Sequence, residues 1–282
     1  MNISKLTMGG KCDEKCSISF QYTTSTTCVA TNNGTYISIS YNKSNMPPVM
    51  FNSLKYDVST VELYSPSVHN FNNTVADAEL IIQHTSSETG SPLLVCIPIM
   101  TKGASGTGTV VLTEIAQSVI QKPLQKNDPP MTIVLTDYNL NNIVPYKPFF
   151  YYNSPTNDAN IIVFGLGESI YMDLDIVTQL RNLITPATDT FAPSVDNYIF
   201  YNNHGPSTSF GDGQLYINCS PTGNSEDTTD VDFDKTNTTT NYDLATILSN
   251  PVFLFILASL VFVIIIMVLH KILVSVTSDK TS

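Results

Sequence analysis

The strongest constraint on this chain lies near its C-terminal end. The residues from Val252 to Leu269, VFLFILASLVFVIIIMVL, form an uninterrupted run without a charged side chain. A transmembrane helix needs about 20 predominantly apolar residues, and Ile272 to Val274 extend the run to that length. The alternative is a buried helix of a soluble domain, but runs of this length are typical of membrane spans. We therefore predict a membrane anchor at residues 250–274, with Val252 and Leu269 bounding its apolar part.

The charge balance argues against a nucleic-acid partner. Acidic residues outnumber basic ones 24 to 13, only 13% of residues are charged, and Arg181 is the single arginine. Nucleic acids and sulfated glycans are bound by clustered Lys and Arg, because their anionic groups must be neutralised. We expect no nucleic-acid binding, and a sulfated glycan would need a local basic groove within an acidic surface.

The residues before the anchor predict a mostly β domain. Short runs rich in Ile, Val, Leu, Tyr and Phe alternate with polar turns that carry Asn-Gly, Pro-Pro or Ser-Pro. Apolar residues at helical spacing in TVVLTEIAQSVIQKPL and MDLDIVTQLRNLI predict two covering helices. The segment PTGNSEDTTDVDFDKTNTTTN is acidic and poor in aliphatic residues, which is typical of a flexible stalk. The predicted organisation is an N-terminal segment (1–16), a β domain (17–220), an acidic Thr/Asn-rich stalk (221–249), the anchor (250–274) and a short tail (275–282).

The five cysteines do not specify a metal site. Cys12 and Cys16 lack a second pair of ligands at a fixed spacing, and Cys96 lies in the apolar run PLLVCIPI, where a buried thiol is expected. The candidate disulfide cysteines are therefore Cys12, Cys16, Cys28 and Cys219. Any disulfide among them implies an oxidising compartment or a dedicated oxidation pathway.

Several motifs together resemble the α-class carbonic anhydrases. They are TNNGTYISISY, YDVSTVELYS, AELIIQH and LLVCIPI, followed by PYKPFFYYNSPTNDANIIVFG and VDNYIFYNNHGPSTSFGDGQLYINCS. In order and spacing they match the family's strands over residues 17–220. The resemblance implies a large, twisted, mainly antiparallel central sheet with a few peripheral helices.

The resemblance also implies where a zinc site would lie. The family holds Zn²⁺ with three histidines, and the metal lowers the pKa of a bound water to about 7 so that hydroxide attacks CO₂. The matching positions in this chain are Glu62, Tyr64 and Ile81, and none of them is a histidine. We expect degenerate ligand positions, no zinc or other cofactor, and no carbonic anhydrase activity.

Other family positions are retained in part. Glu79 matches the glutamate of the partner strand, and His69 matches a histidine that supports the zinc site without binding the metal. Thr156 is an approximate counterpart of a catalytic threonine. We expect His69 and His84 to be structural, hydrogen-bonded histidines. A metal site rebuilt from His69, His84 and His204 is the alternative.

A carbonic-anhydrase-like domain followed by a linker and one C-terminal span resembles envelope proteins of large DNA viruses, including poxvirus cell-surface-binding proteins and giant-virus relatives. The resemblance implies a non-catalytic, membrane-anchored viral surface protein for adhesion, with a host-surface glycan or protein as partner. One alternative is a structural tether between the virion membrane and a capsid protein. An active zinc carbonic anhydrase with an atypical site is another.

The expected location is a virion membrane or host-derived internal membrane, crossed once, with the N-terminal domain on the virion surface. The N-terminus carries no apolar signal segment, so we expect insertion after synthesis and a domain on the cytosolic side. If the domain instead entered a secretory lumen, the chain would offer six candidate glycan sites: Asn2, Asn33, Asn42, Asn72, Asn218 and Asn237.

Overall fold

The computed structural model describes residues 2–3, 8–12, 15–103, 105–154, 158–187 and 199–208. They belong to a single unit, Met1–Cys219. Within them the chain forms sixteen strands and two α-helices. The strands are β1 (Asn2–Ile3), β2 (Met8–Lys11), β3 (Ile18–Phe20), β4 (Ser25–Asn32), β5 (Ile37–Ile39), β6 (Val49–Phe51), β7 (Leu54–Tyr64), β8 (Asn70–Phe71), β9 (Thr74–Val75), β10 (Ala78–Ser86), β11 (Pro92–Met100), β12 (Met131–Tyr138), β13 (Phe149–Ser154), β14 (Ala159–Phe164), β15 (Ile170–Tyr171) and β16 (Ile199–Asn202). The helices are α1 (Thr107–Gln121) and α2 (Leu174–Arg181), and short 3-10 turns occupy Leu140–Asn142 and Leu166–Glu168.

Thirteen of these strands form one large sheet. Its order is β12-β4-β5-β7-β10-β11-β14-β13-β16-β2, with β15 beside β11 and the β3–β6 pair branching from β7. Most neighbours are antiparallel, while β11 pairs in parallel with β14 and β15, and β16 pairs in parallel with β2. A separate small sheet joins β1, β8 and β9. The predicted mostly β architecture with a large central sheet and few helices is confirmed.

The sequence pattern explains the central strands. β11 and β14 are buried on both faces, so they appear in the sequence as continuous apolar runs rather than as alternating ones. Strand β10 sends Leu80 and Ile82 into one core cluster and Ile81 into a second cluster on the opposite face. Neighbouring residues of a strand point to opposite faces, so the sheet separates the two cores.

The two helices cover the face that carries Leu80 and Ile82. Helix α1 buries Leu112, Ile115 and Val119, and α2 buries Val177 and Leu180 in the same cluster. These residues recur at three- or four-residue spacing, the spacing that predicted the helices. Full burial of one such aliphatic side chain contributes roughly 1.5–3 kcal/mol. The opposite face of the sheet has no α-helix among the residues described, and it carries the candidate site.

A β-bulge interrupts β7. Thr60 pairs with Gln83 and Val58 pairs with His84, so Ser59 is an extra residue between two partners that are adjacent on β10. The bulge reverses the alternation of β7, and Tyr56 therefore points into the helix-covered core.

The cysteines form one disulfide within the part of the chain that the structure describes, between Cys12 and Cys16. Cys28 was a candidate for disulfide bonding, but it is a buried free thiol. It lies in the helix-covered core, whereas the other free thiol, Cys96, lies in the core on the opposite face. The sheet thus separates the two free thiols. Cys219 lies outside the described residues.

The predicted stalk and anchor, including Val252 and Leu269, also lie outside the described residues. Across the ranges that are described, no helix is both long enough and apolar enough to span a bilayer.

Candidate functional site

The structure brings the three predicted ligand positions together. Glu62 of β7 pairs directly with Ile81 of β10, and Tyr64 pairs with Glu79 two residues away. Residues opposite one another in an antiparallel pair point to the same face, so Glu62, Tyr64 and Ile81 share the face opposite the helices. They are 4%, 8% and 0% exposed. Their convergence follows from the strand register alone.

A hydrogen bond joins two of the three positions. The Tyr64 hydroxyl donates to Oε2 of Glu62 over 2.8 Å. Burial raises the pKa of Glu62, while hydrogen bonding from Tyr64, Gln83 and Tyr36 lowers it, and the net shift is upward. The rings of Tyr36 and Tyr64 lie 5.0 Å apart. We call Glu62, Tyr36, Tyr64 and Gln83 the carboxyl cluster: one acidic group surrounded by neutral donors.

These positions do not fit a zinc ion. Zinc sites in proteins use at least three protein ligands drawn from thiolate, imidazole and carboxylate groups. Ile81 has no ligand atom. The pKa of Tyr64 is raised far above its usual range by burial and by the adjacent Glu62 carboxylate, so its phenol stays protonated and donates a hydrogen bond. Glu62 is then the one remaining ligand, and one carboxylate does not hold the metal.

A second polar group lies on the same face, built from His69, Glu79 and Tyr152; we call it the histidine triad. Nδ1 of His69 lies 2.6 Å from Oε1 of Glu79, and Nε2 lies 2.7 Å from the Tyr152 hydroxyl. Oε2 of Glu79 accepts hydrogen bonds from the backbone N–H groups of Val68 and His69, at 2.8 and 3.0 Å. Because the carboxylate accepts on both oxygens, Nδ1 of His69 carries the proton that it donates. His69 is thus a hydrogen-bonded buried histidine whose glutamate partner is Glu79.

Cys96 lies beside the triad. Ligand atoms of His69, Glu79 and Cys96 lie within 4.8 Å of one another, and all three residues are buried. Both ring nitrogens of His69 and both oxygens of Glu79 are already engaged in the bonds above. Burial, with the nearby carboxylates of Glu79 and Glu62, raises the pKa of the Cys96 thiol well above its usual range. In this arrangement the Cys96 thiol is protonated, and the histidine–carboxylate pair is held by its hydrogen bonds to Tyr152 and to the backbone.

His84 lies on the other face of β10. Its Nε2 is 2.9 Å from the Tyr22 hydroxyl, and Nδ1 is 3.2 Å from the Leu93 carbonyl oxygen. Burial lowers its pKa to about 4, against smaller opposing contributions from backbone hydrogen bonds. The sheet therefore separates His84 from His69, and the alternative of a metal site containing both is wrong.

A set of bonds fixes the loop that carries His69. Arg181 of α2 donates from Nε to the Ser65 hydroxyl and from Nη2 to the Asp77 carbonyl, at 3.2 and 2.9 Å. Thr101 donates to the Asp77 carboxylate through both its N–H and its hydroxyl, each at 2.8 Å. Helix α2 thereby holds the start of the loop and the strand that supplies Glu79. Thr156, the approximate threonine counterpart, lies outside the described residues.

Three residues of these two groups were missed from the sequence: Tyr36, Gln83 and Tyr152. Gln83 could have been found, because it follows Ile81 by two residues on one strand and so shares its face. Tyr36 precedes β5 and shares no strand with the predicted ligands. Tyr152 lies in FFYYNS, where four consecutive aromatic residues hide which ring points to which face.

Comparison with solved structures identifies the architecture. An α-carbonic anhydrase from Photobacterium profundum matches with a TM-score of 0.55 and 13% identity, over 71% of this chain and 87% of that one. The described domain has the fold of the α-carbonic anhydrases. A carbonic anhydrase from Chlamydomonas reinhardtii, solved with acetazolamide, matches with a TM-score of 0.55 and 15% identity, over 72% and 89% of the two chains. Dioscorin, solved in complex with ascorbate, matches with a TM-score of 0.56 and 14% identity, over 74% and 86%.

Comparisons with protein families and with curated proteins gave no match. At these identities the likeness establishes the carbonic-anhydrase-like fold and leaves activity to be argued from the residues.

Proposed function

We propose that this protein is a non-catalytic, membrane-anchored surface protein that uses a carbonic-anhydrase-like domain for binding. One observation carries the proposal: at the three positions where the family holds zinc, a tyrosine hydroxyl is bonded to a glutamate and the third residue is isoleucine. In this interpretation the carboxyl cluster occupies the place where the family holds its metal.

The chemistry supports this choice over catalysis. Hydration of CO₂ at neutral pH needs a group that generates hydroxide from water, which a bound metal does by lowering the pKa of its water. Glu62 is the one acid among the three positions, it already accepts a hydrogen bond from the Tyr64 hydroxyl, and it is almost fully buried. A buried, hydrogen-bonded carboxyl group does not provide this activation.

The proposed setting is the surface of a virion. The apolar run from Val252 to Leu269 would anchor the chain in the virion membrane, and the acidic stalk would carry the domain outward. The proposed partner is a host-surface protein or a glycan of low charge, since the acidic chain disfavours a polyanion.

Metal content and turnover test the loss of catalysis. The full chain, purified in detergent, should contain no stoichiometric zinc and should not accelerate CO₂ hydration above buffer. The variant Glu62→His/Tyr64→His/Ile81→His should gain zinc, because the register places all three imidazoles on one face. The double variant Glu62→His/Tyr64→His is the matched control and should bind zinc far more weakly. Stoichiometric zinc with turnover in the unaltered chain would overturn the proposal.

Cell binding tests the adhesion function. Full chain reconstituted in fluorescent vesicles should be retained on host cells more strongly than vesicles with an unrelated acidic membrane protein. Retention only on isolated capsid protein would instead indicate the tether function. Retention on neither would contradict the binding proposal.

A further inference from the structure

We infer that Asn42 and Asn72 carry N-linked glycans, added while the domain folds in an oxidising lumen. This inference goes beyond the proposed binding function, because it assigns two modification sites and the side of the membrane on which the domain matures. It also reverses the sequence-based expectation of a cytosolic domain. Two independent features support it: the presentation of the two asparagines, and the disulfide.

Asn72 lies at the tip of a hairpin. Strands β8 and β9 are joined by Asn72 and Asn73, which have φ values of 50° and 62°. A two-residue turn with both residues left-handed favours asparagine and projects its side chains outward. Asn72 and Thr74, the first and third residues of the Asn-Asn-Thr sequon, are both exposed. The Asn72 backbone N–H donates to the Ile3 carbonyl at 3.1 Å, but within the described residues its side-chain amide makes no hydrogen bond that a glycan would have to break.

Asn42 is presented in a different way. It lies in the long connection between β5 and β6, outside any strand or helix, and it is exposed. Its sequon is Asn-Lys-Ser, and Ser44 is half-buried with its hydroxyl 3.4 Å from the Met46 N–H. The Asn42 side chain also makes no hydrogen bond to the part of the domain that the structure describes. Exposed loops of this kind tolerate bulky groups.

The other sequons of the described domain are less available. The side chain of Asn2 exchanges hydrogen bonds with Asn73, at 3.0 and 2.9 Å. Asn33 is exposed, but its backbone N–H donates to the carbonyl of Tyr36, a member of the carboxyl cluster, at 3.0 Å. Asn218 and Asn237 lie outside the described residues. The structure therefore singles out two of the six.

Exposed apolar side chains adjoin both sites. Met46, four residues after Asn42, is 72% exposed, and Val75, three residues after Asn72, is 49% exposed. An oligosaccharide on each asparagine would cover the neighbouring apolar side chain, which water otherwise contacts.

The disulfide is the second observation. Cys12 and Cys16 are bonded to each other and are 4% and 0% exposed. The Cys12 N–H donates to the Tyr201 carbonyl, and the Asn202 amide donates to the Cys16 carbonyl, at 3.2 and 3.4 Å. Such bonds persist in oxidising compartments. As the Cys12–Cys16 bond forms, the two thiols lose two protons and two electrons. The disulfide of a lumenal oxidoreductase accepts them and is reduced to a dithiol.

The glycan transfer occurs in the same compartment. The co-reactant is an oligosaccharide linked through diphosphate to a lipid carrier, and a lumenal transferase supplies it. The asparagine amide nitrogen forms a bond to the first sugar carbon and loses a proton. The bond from that carbon to the diphosphate oxygen breaks, and the lipid diphosphate leaves. No electrons are exchanged.

Paired variants test each site without altering the asparagine. Full chain expressed in human cells is compared with Thr74→Ala and Ser44→Ala, which destroy the sequons, and with Thr74→Ser and Ser44→Thr, which preserve them. Each alanine variant should lose one gel-mobility step relative to the unaltered chain, and each conservative variant should keep it. An amidase that removes N-glycans should bring all five proteins to one mobility.

Thiol labelling provides the second readout. Before reduction, Cys12 and Cys16 should resist a maleimide reagent, and after reduction in denaturant both should react. If the amidase leaves the mobility of the unaltered chain unchanged, or if alanine and conservative variants migrate alike, the inference is overturned. Glycans found only at other asparagines would also overturn the assignment to Asn42 and Asn72.

Discussion

The carboxyl cluster and the histidine triad lie on the same face of the sheet, and each contains one buried glutamate. Glu79 of the triad accepts three hydrogen bonds, from His69 Nδ1 and from two backbone N–H groups. Glu62 of the cluster accepts a hydrogen bond from the neutral phenol of Tyr64, and burial leaves its pKa raised. The two glutamates are buried to nearly the same extent, but the groups that donate hydrogen bonds to them differ.

The difference indicates what each region does for the fold. Buried charge is tolerated where fixed donors compensate for lost hydration, and backbone N–H groups are the most fixed donors available. The triad is therefore expected to stabilise the loop that carries His69. The carboxyl cluster is expected to cost stability near neutral pH, as residues placed for function often do.

The largest expected effect comes from breaking the triad. Glu79→Ala leaves two buried backbone N–H groups and His69 without their acceptor, so the free energy of unfolding should fall by roughly 3–5 kcal/mol. Chemical denaturation followed by circular dichroism measures this. Glu79→Gln retains an acceptor oxygen and should cost clearly less. Equal losses for both variants would mean that packing, rather than hydrogen bonding, holds the loop.

A smaller effect is expected from His84, the buried histidine on the helix-covered face. Burial lowers its pKa to about 4 in the folded protein, from 6.5 for a histidine exposed to water. The unfolded chain therefore binds a proton first as the pH falls, and stability should decline by about 3 kcal/mol between pH 6.5 and pH 4. His84→Gln should lack this decline. A matching decline in the variant would assign the acid sensitivity to other groups.

Glu62→Gln should act in the opposite direction. The folded protein holds the Glu62 proton more tightly than an unfolded carboxyl that titrates near 4.5, so the ionised form opposes folding above that pH. The variant should be more stable than the unaltered chain by about 1 kcal/mol at pH 7, and the gain should vanish below pH 4. Destabilisation at pH 7 would show that the Glu62 charge contributes to the fold.

The smallest effect on stability is expected from the ion pair that supports the loop of His69. Arg181 and Asp77 form an ion pair of 3.4 Å, with side chains 41% and 27% exposed. Pairs of this kind contribute up to about 1 kcal/mol, so Arg181→Lys should lower stability by less than that. Measurement at low and at high salt separates the charge from the bonds to Ser65 and the Asp77 carbonyl. If Arg181→Lys lost as much stability as Glu79→Ala, Arg181 would contribute to the fold as strongly as the histidine triad does, and not as a surface ion pair.

The sequence predicted the parts of this molecule that depend on strand periodicity. The positions of Glu62, Tyr64 and Ile81 could be aligned because side chains alternate along a strand, and the register then placed them together. The glutamate partner of His69 could not be predicted, because no glutamate lies beside His69 in the sequence. Glu79 reaches His69 through the hairpin geometry of β8 and β9, which alternation does not specify. The separation of His69 from His84 could not be predicted either. His84 points to the helix-covered face of β10, whereas the loop that carries His69 lies on the opposite face, and the sequence does not show on which face this loop lies.

The β-bulge at Ser59 has a consequence for how this strand would respond to the loss of a residue. Because the pairing of β10 does not need this residue, an in-frame deletion of Ser59 would join Val58 to Thr60 while each kept its present partner. Loss of a codon within an unbulged strand such as β10 would instead invert the side chains on one side of the gap. A homologue that lacks only the residue at the bulge is therefore expected to keep the same β7 side chains in each core.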